Sequence, residues 1–392
     1  PRWAEVLAFG CELASDPLTV LKALAGLDAQ DLALRVLPEL ESVDYGEALN
    51  VLGQRGWDGD YLVSLLERWL QEGGMKPDGA IGWLWRQVTE GRSTEELAYV
   101  HYALEHLARD GRARPVDRER FFRGCGRWPE GGPPESDYLE IPGGSFQMGS
   151  EHGETERLSN ERLHTVSVST FELSPTVVTN GQYEKFDSQH ERELFGGRLT
   201  PQEAADHPVV NVSWWGAYLY ACWVGAELPT EAQWEYACRS GTSTPFSFGE
   251  TITPKQVNYH GIFLYAGADR GEFREATVVA GSLPSNGWGL HEMHGNVWEW
   301  CQDWYGDYDD ASTPDPSGPA RGTGRVQRGG SWRLHADRAR SAQRDRNVPG
   351  NRYRDIGFRV SRGQAQAGPP RDAVAQGKGV EPPDAATWER RG

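Results

Sequence analysis

Apolar residues recur at three- and four-residue spacing through the first third of the chain. The segments are WAEVLAFGCELA, DPLTVLKALAGL, DGDYLVSLLERWLQE, GAIGWLWRQVTE and STEELAYVHYALEHLARDG, and their period is that of helices with one buried face. Asp16-Pro17 supplies an N-cap followed by proline at the first helical position, and Ser93 with Glu96 forms a capping-box signature. Short helices joined by Gly- or Asp-bearing turns predict stacked antiparallel pairs over residues 1–130, a solenoid-like helical domain. The pattern changes at Gly131-Gly132-Pro133-Pro134, a linker signal. Beyond it, short strand-like runs alternate with loops rich in glycine and tryptophan, and helical spacing returns only near 179–188, 213–224 and 230–239. Thr179 with Gln182 and Thr230 with Gln233 are further capping boxes. From Gly363 onward apolar content is low and no period survives, which predicts a mobile or surface-draped tail over 363–392. The expected class is α+β: a helical domain over 1–130, a mixed domain over 131–362, and a tail.

Composition narrows the functions. At 392 residues the chain suits two or three domains of roughly 100–200 residues each. Lys+Arg is 40 against Asp+Glu 57, a formal net charge of −17. So acidic a body excludes general nucleic-acid binding, which needs a basic face to displace counterions. No apolar run reaches the roughly 18 residues of a membrane span, and Pro1-Arg2-Trp3 opens no signal peptide. The expectation is a soluble chain without membrane insertion, cytoplasmic or phage- or cell-associated, trimmed from a longer one. Cys11, Cys125, Cys222, Cys238 and Cys301 form no CxxC or Cys/His cluster, so free buried thiols are expected rather than disulfides or zinc.

The mixed region carries ordered landmarks: IPGGSFQMGS (141–150), NERLHTVSVSTFEL (160–173), VTNGQYEKF (178–186), HPVVNVSWWGAYLYACW (207–223), ELPTEAQWEYACR (227–239), NGWGLHEMHGNVWEWCQDWY (286–305), RVQRGGSWR (325–333) and IGFRV (356–360). On these blocks the chain, over roughly 138–362, resembles the formylglycine-generating-enzyme/sulfatase-modifying-factor family. The resemblance implies a variant of the C-type lectin fold, in which glycines reach positive φ and tryptophans bury large area where regular structure is scarce. It also implies a cysteine pair for oxidising a substrate cysteine, the first two residues past the aromatic of GGS-aromatic and the second five further on. Those positions are Leu334 and Ala339, and no cysteine follows Cys301. Without a thiolate there is neither nucleophile nor soft copper ligand, so no catalysis of that kind is expected.

Other chemistry reads weakly. His291-Glu292-x-His294 lacks the i, i+4 histidine spacing of HExxH. His101 and His106, five apart on a helix, face different sides and suit surface or groove packing. GPARGTGR (318–325) lacks the lysine of a phosphate loop. The family resemblance implies a structural calcium held by the side chains of Glu292 and Glu299 and the carbonyls of Gly295 and Val297, oxygen ligands suited to a hard cation. The family usually has Asn where Glu292 stands, and the bland alternative for Glu299 is an arginine salt bridge. A second family site would use Asn258 with the carbonyls of Tyr259 and Phe273, but its expected Asp aligns with Gly271.

Between RGGSW and IGFRV lies RLHADRARSAQRDRNVPGNRYRD (333–355). It resembles the variable region of proteins diversified by diversity-generating retroelements, where Asn codons of a template mutate at adenines. Thirteen positions fall in the permitted residue set: Arg333, Leu334, His335, Asp337, Arg338, Arg344, Asp345, Arg346, Asn347, Val348, Tyr353, Arg354 and Asp355. Gln343 does not. Frame residues interleave with them: Ala342 and Ile356 are expected to pack inward while Arg344 and Asp355 face out, and Arg340 and Arg352 to bind loop carbonyls. Seven Arg and three Asp give the segment a local +4. Such a composition suits an adaptable paratope for an acidic macromolecular ligand, a protein or cell-surface target.

The front part weakly resembles the helical region of NACHT-type signalling proteins, in Trp3-Ala4-Glu5-Val6 and the Asp16-Pro17 pattern; that resemblance implies an NTPase upstream of residue 1. The expected function is non-catalytic ligand binding by a diversified surface. The alternatives are a divergent enzyme related to the iron-dependent sulfoxide synthases, whose HxxxHxE motif is absent here, and an assembly module without a specific ligand.

Overall fold

Helices and strands begin where the chain offers caps and alternation. The computed structural model describes residues 77–363 except 110, 112, 263–264, 268–269 and 309–313. The first three helical segments read from the sequence, Asp16-Pro17 and the tail past Gly363 lie outside the described residues. The described residues fall into two units: 77–92 with 99–117, and 93–98 with 118–363.

In the first unit, α1 (Pro77–Arg86) buries Trp83 and Leu84. Helix α2 (Thr94–Arg109) buries Val100, Ala103, Leu104 and Leu107, the i, i+3, i+4, i+7 stripe of its sequence. Its first turn, which belongs to the second unit, carries the expected capping box: Glu96 N–H donates to Ser93 Oγ (3.2 Å) and Ser93 N–H to Glu96 Oε2 (2.9 Å). His101 is buried rather than at the surface. Burial and the nearby Arg109 charge push its imidazole down to about 3.

The second unit opens with α3 (Arg118–Gly124), which buries Phe121 and Phe122. Strands β1 (Leu139–Ile141), β4 (Phe171–Leu173) and β9 (Ser361–Arg362) form one sheet, and β2 (Gly144–Met148) pairs with β3 (His164–Val168) in another. The third, which carries part of the 333–355 segment, runs β7–β6–β5–β8: Arg344–Asn347, Arg325–Arg328, Trp298–Trp304 and Ile356–Gly357. β7 pairs antiparallel with β6, Arg344 opposite Arg328 and Asn347 opposite Arg325, while β8 lies parallel to β5.

Three helices support these sheets. α4 (Asn180–Tyr183) is shorter than its pattern, yet has the capping box of Thr179 and Gln182. α5 (Trp214–Trp223), capped by Ser213, is apolar nearly all round and is buried except at Tyr218 and Cys222, which are half-buried. α6 (Glu231–Arg239) starts at the Thr230/Gln233 capping box, and every one of its residues is buried, charges included. Trp298 and Trp332 are core residues. At Gly330 the backbone sits at φ +74, and a Cβ would lie 2.6 Å from the Arg338 carbonyl. Only glycine allows that approach, which brings the segment after Trp332 back onto the sheet.

Candidate binding face and the frame beneath it

From Gly330 the chain runs through Ser331 and Trp332, a 3-10 turn at Ala336–Ala339, β7, a loop, and β8. The frame beneath this course is pinned in three places. The Trp332 N–H donates to the Asn296 carbonyl (2.9 Å); its indole is edge-on to Phe195 and parallel to Phe273, with ring centroids 5.5 and 6.1 Å away. Its Nε1 is buried without a hydrogen-bond partner. Arg340 is fully buried and donates to the Asp337 and Glu156 carbonyls as expected, and also pairs with Glu154 and Glu161. His294 lies beneath Ala339: its Nδ1 is 2.7 Å from the Ala339 carbonyl and so bears the proton, while Nε2 accepts from the Ser247 N–H (3.0 Å). Burial lowers this imidazole to about 4 and raises the neighbouring Cys238 thiol to about 12, so near neutral pH the imidazole is uncharged and the thiol protonated.

Eleven of the thirteen candidate positions reach solvent: Arg333, His335, Asp345, Arg346, Val348, Tyr353 and Arg354 are exposed, and Leu334, Asp337, Arg338 and Asn347 half-buried. Ala336, Ala339, Ala342, Gln343 and Ile356 between them are buried. Two positions do not face outward as expected. Arg344 is 3% exposed, bidentate on Glu231 (2.8 and 2.7 Å), bonded to the Gly306 carbonyl and held over Tyr308. The carboxylate of Glu231 beneath the start of β7, not alternation along the strand, holds it in. Asp355 is 7% exposed and accepts from Ser331 Oγ (2.9 Å), beside Arg333. Arg352 departs in the other direction: it is exposed and pairs with the Glu95 carboxylate instead of a loop carbonyl.

Beneath Arg344 lies a charge network that sequence reading missed. Arg328 pairs with Glu235 and lies 3.6 Å from Glu231, and Arg239 pairs with Glu235 (2.9 Å), all buried. Glu231 N–H donates to Asp303 Oδ2 (2.8 Å). Burial, with the Glu231 charge adding to it, pushes the Asp303 carboxyl up to about 7. The available signal was the i, i+4 pair Glu231 and Glu235, with Arg239 four residues further on the same helix. Tyr305 and Tyr308, missed as supports, follow directly after the GNVWEW block.

The calcium set implied by resemblance does not fit. Glu299 accepts from Arg359 through both oxygens (2.6 and 2.8 Å) and from Trp234 Nε1, the salt-bridge alternative. Glu292 spends its oxygens on the N–H groups of Gly281 and Leu283. With both carboxylates engaged, the carbonyls of Gly295 and Val297 lack an anionic partner there. At the second family site Asn258 Oδ1 is buried and unpartnered, as a ligand oxygen would be, but Gly271 brings no carboxylate. Among the described residues no three His, Cys, Asp or Glu side chains gather as a metal group, and no helix is long and apolar enough to cross a membrane.

Comparison with known proteins agrees with the landmarks. Residues 129–364 match the family model described as the sulfatase-modifying factor enzyme 1-like domain. The formylglycine-generating enzyme of Streptomyces coelicolor is 34% identical over 278 residues, covering 57% of this chain and 88% of that one. The serine/threonine-protein kinase pkn1 of Chlamydia caviae is 36% identical over 253 residues, covering 58% of this chain but 38% of the kinase. The chain thus spans less than half the length of the kinase relatives it matches. Among solved structures, Treponema denticola variable protein 1 aligns with TM-score 0.49 and 25% identity, over 57% of this chain and 94% of that one.

Proposed function

This chain belongs to the sulfatase-modifying factor enzyme 1-like family, and we propose that it uses the scaffold to bind a ligand rather than to catalyse. The observation that carries the reading is the separation of solvent-reaching and buried positions within 333–355. A protein with total stability of roughly 5–15 kcal/mol tolerates repeated sequence change only where burial is low; seven of the thirteen candidate positions are exposed, four are half-buried, and only Arg344 and Asp355 are buried. Leu334 and Ala339 occupy the places where the resemblance calls for reactive thiols. The ligand is a macromolecule of acidic character, met by the exposed arginines of the segment that have no ion pair among the described residues, Arg346 and Arg354, and the binding needs no cofactor.

Sequencing the source locus tests the diversification. A reverse transcriptase gene and a template repeat matching the codons of 333–355 except at adenines are expected; a locus without either defeats the reading. Aldehyde formation on a cysteine-containing sulfatase-type peptide, with copper supplied, should not rise above background. Turnover there would restore the enzyme alternative.

A further inference from the structure

Seven arginines lie in 333–355, and the structure divides them by partner. Arg333, Arg338, Arg340, Arg344 and Arg352 each stand within ion-pair distance of a carboxylate. Arg346 and Arg354 have no ion pair among the described residues, and both are exposed. Each instead lies over an aromatic ring: Arg346 is 4.7 Å from the centroid of Tyr305, and Arg354 is 5.4 Å from that of Trp332. The rings are themselves fixed. Tyr305 accepts a hydrogen bond from Asn160 (2.6 Å), and Trp332 is core.

Resting on the binding reading above, we propose that Arg346 and Arg354 are the anchor cations of the face, and that its partner is an acidic protein segment which also carries apolar side chains. A guanidinium laid over a ring has lost much of its rotamer freedom before the partner arrives, so less is lost on binding. Its edge N–H groups remain available to take a carboxylate in bidentate geometry. These two guanidiniums outnumber the exposed carboxylate without an ion pair beside them, Asp345, and so call for acid. Val348 and Tyr353, 53% and 45% exposed, call for apolar contact beside it, which a protein supplies and a nucleic-acid backbone does not. The −17 body opposes an extended polyanion.

The test pans a phage-displayed library of random dodecapeptides on the full chain and measures the enriched peptides by titration. The enriched peptides should pair acidic residues with an aliphatic or aromatic one, and their affinity should fall as salt rises. Arg346→Ala and Arg354→Ala should each weaken binding at least tenfold, and Arg352→Ala, whose charge is already paired, less than twofold. Arg354→Lys should still lose several-fold, because an ammonium does not stack or fork as a guanidinium does. Peptides that enrich without acidic residues, or that ignore both arginines, defeat the anchor assignment and leave the binding reading standing. Single-stranded DNA binding more tightly than the peptides defeats the partner class. A library that enriches nothing defeats both readings together.

Discussion

Arg344 and Arg346 stand two residues apart on one strand, and alternation gives them the same side of it. One is buried on Glu231 against the rings of Tyr305 and Tyr308; the other is exposed and lies beside the ring of Tyr305. The difference lies in what is underneath. At the start of β7 the neighbouring strand presents Arg328, and α6 presents Glu231 and Glu235, so a guanidinium there completes a buried network. Further along, Val326 opposite Arg346 is fully buried and offers no charge. The 333–355 segment is therefore divided into a buried, charge-paired frame and a face that reaches solvent.

The largest expected effect tests that division. Arg344→Ala should cost about 3–5 kcal/mol, because it leaves Glu231 short of its bidentate partner in a dry site. Arg344→Lys should recover only part of it, since an ammonium does not reproduce the fork. Denaturant titration measures both, and a loss below about 1 kcal/mol for Arg344→Ala would return that residue to the face.

Asp303 probes the network from its other side, and its effect is a few kcal/mol at most. Its carboxyl sits at about 7 in the folded protein against roughly 4 in an unfolded chain. Between those values the folded state keeps a proton that the unfolded chain has released. The group's contribution to stability therefore declines as pH rises from about 4 to 7 and is level above. Asp303→Asn keeps an acceptor for the Glu231 N–H. It should match the parent near pH 4 and melt higher at pH 8. An equal or lower melting temperature at pH 8 means that the surrounding arginines keep Asp303 ionised without cost.

Helix starts and core aromatics were legible in the sequence because they depend on neighbours a few residues away. The boxes at Ser93, Thr179 and Thr230 close as their spacing predicts, and Trp298 and Trp332 are buried. The buried charges were not legible, since Arg328, Arg340 and Arg359 meet carboxylates 93, 179 and 60 residues away in sequence. No local pattern separates such an arginine from a solvated one. The calcium reading failed for the same reason: Arg359 already sits where the cation's charge was wanted. Arg352 was mistaken for frame because its partner, Glu95, is 257 residues away.

A cap gives an intermediate effect. Thr230→Ala removes the acceptor of the Gln233 N–H at the start of α6, the helix that supplies Glu231 and Glu235. The loss should be about 1 kcal/mol, and the Thr230→Ser variant should restore most of it.

The smallest effect is the sharpest statement about the face. The Asp345 side chain is exposed and among the described residues accepts only from the backbone N–H of its own neighbour, Arg346. Val348 is 53% exposed, so truncating it removes little area from the core. Asp345→Ala and Val348→Ala should each change stability by no more than about 0.5 kcal/mol. Arg346→Ala should cost slightly more, about 0.5–1 kcal/mol, because it forfeits an exposed contact with a ring. The triple variant should lose no more than about 1–2 kcal/mol in all, and because Asp345 and Arg346 are adjacent, a departure from the sum measures their coupling. A triple variant that loses several kcal/mol, or unfolds, would mean that the outer half of β7 is as fixed as its inner half. The boundary between frame and face would then lie beyond residue 348, leaving Tyr353 and Arg354 to carry the binding.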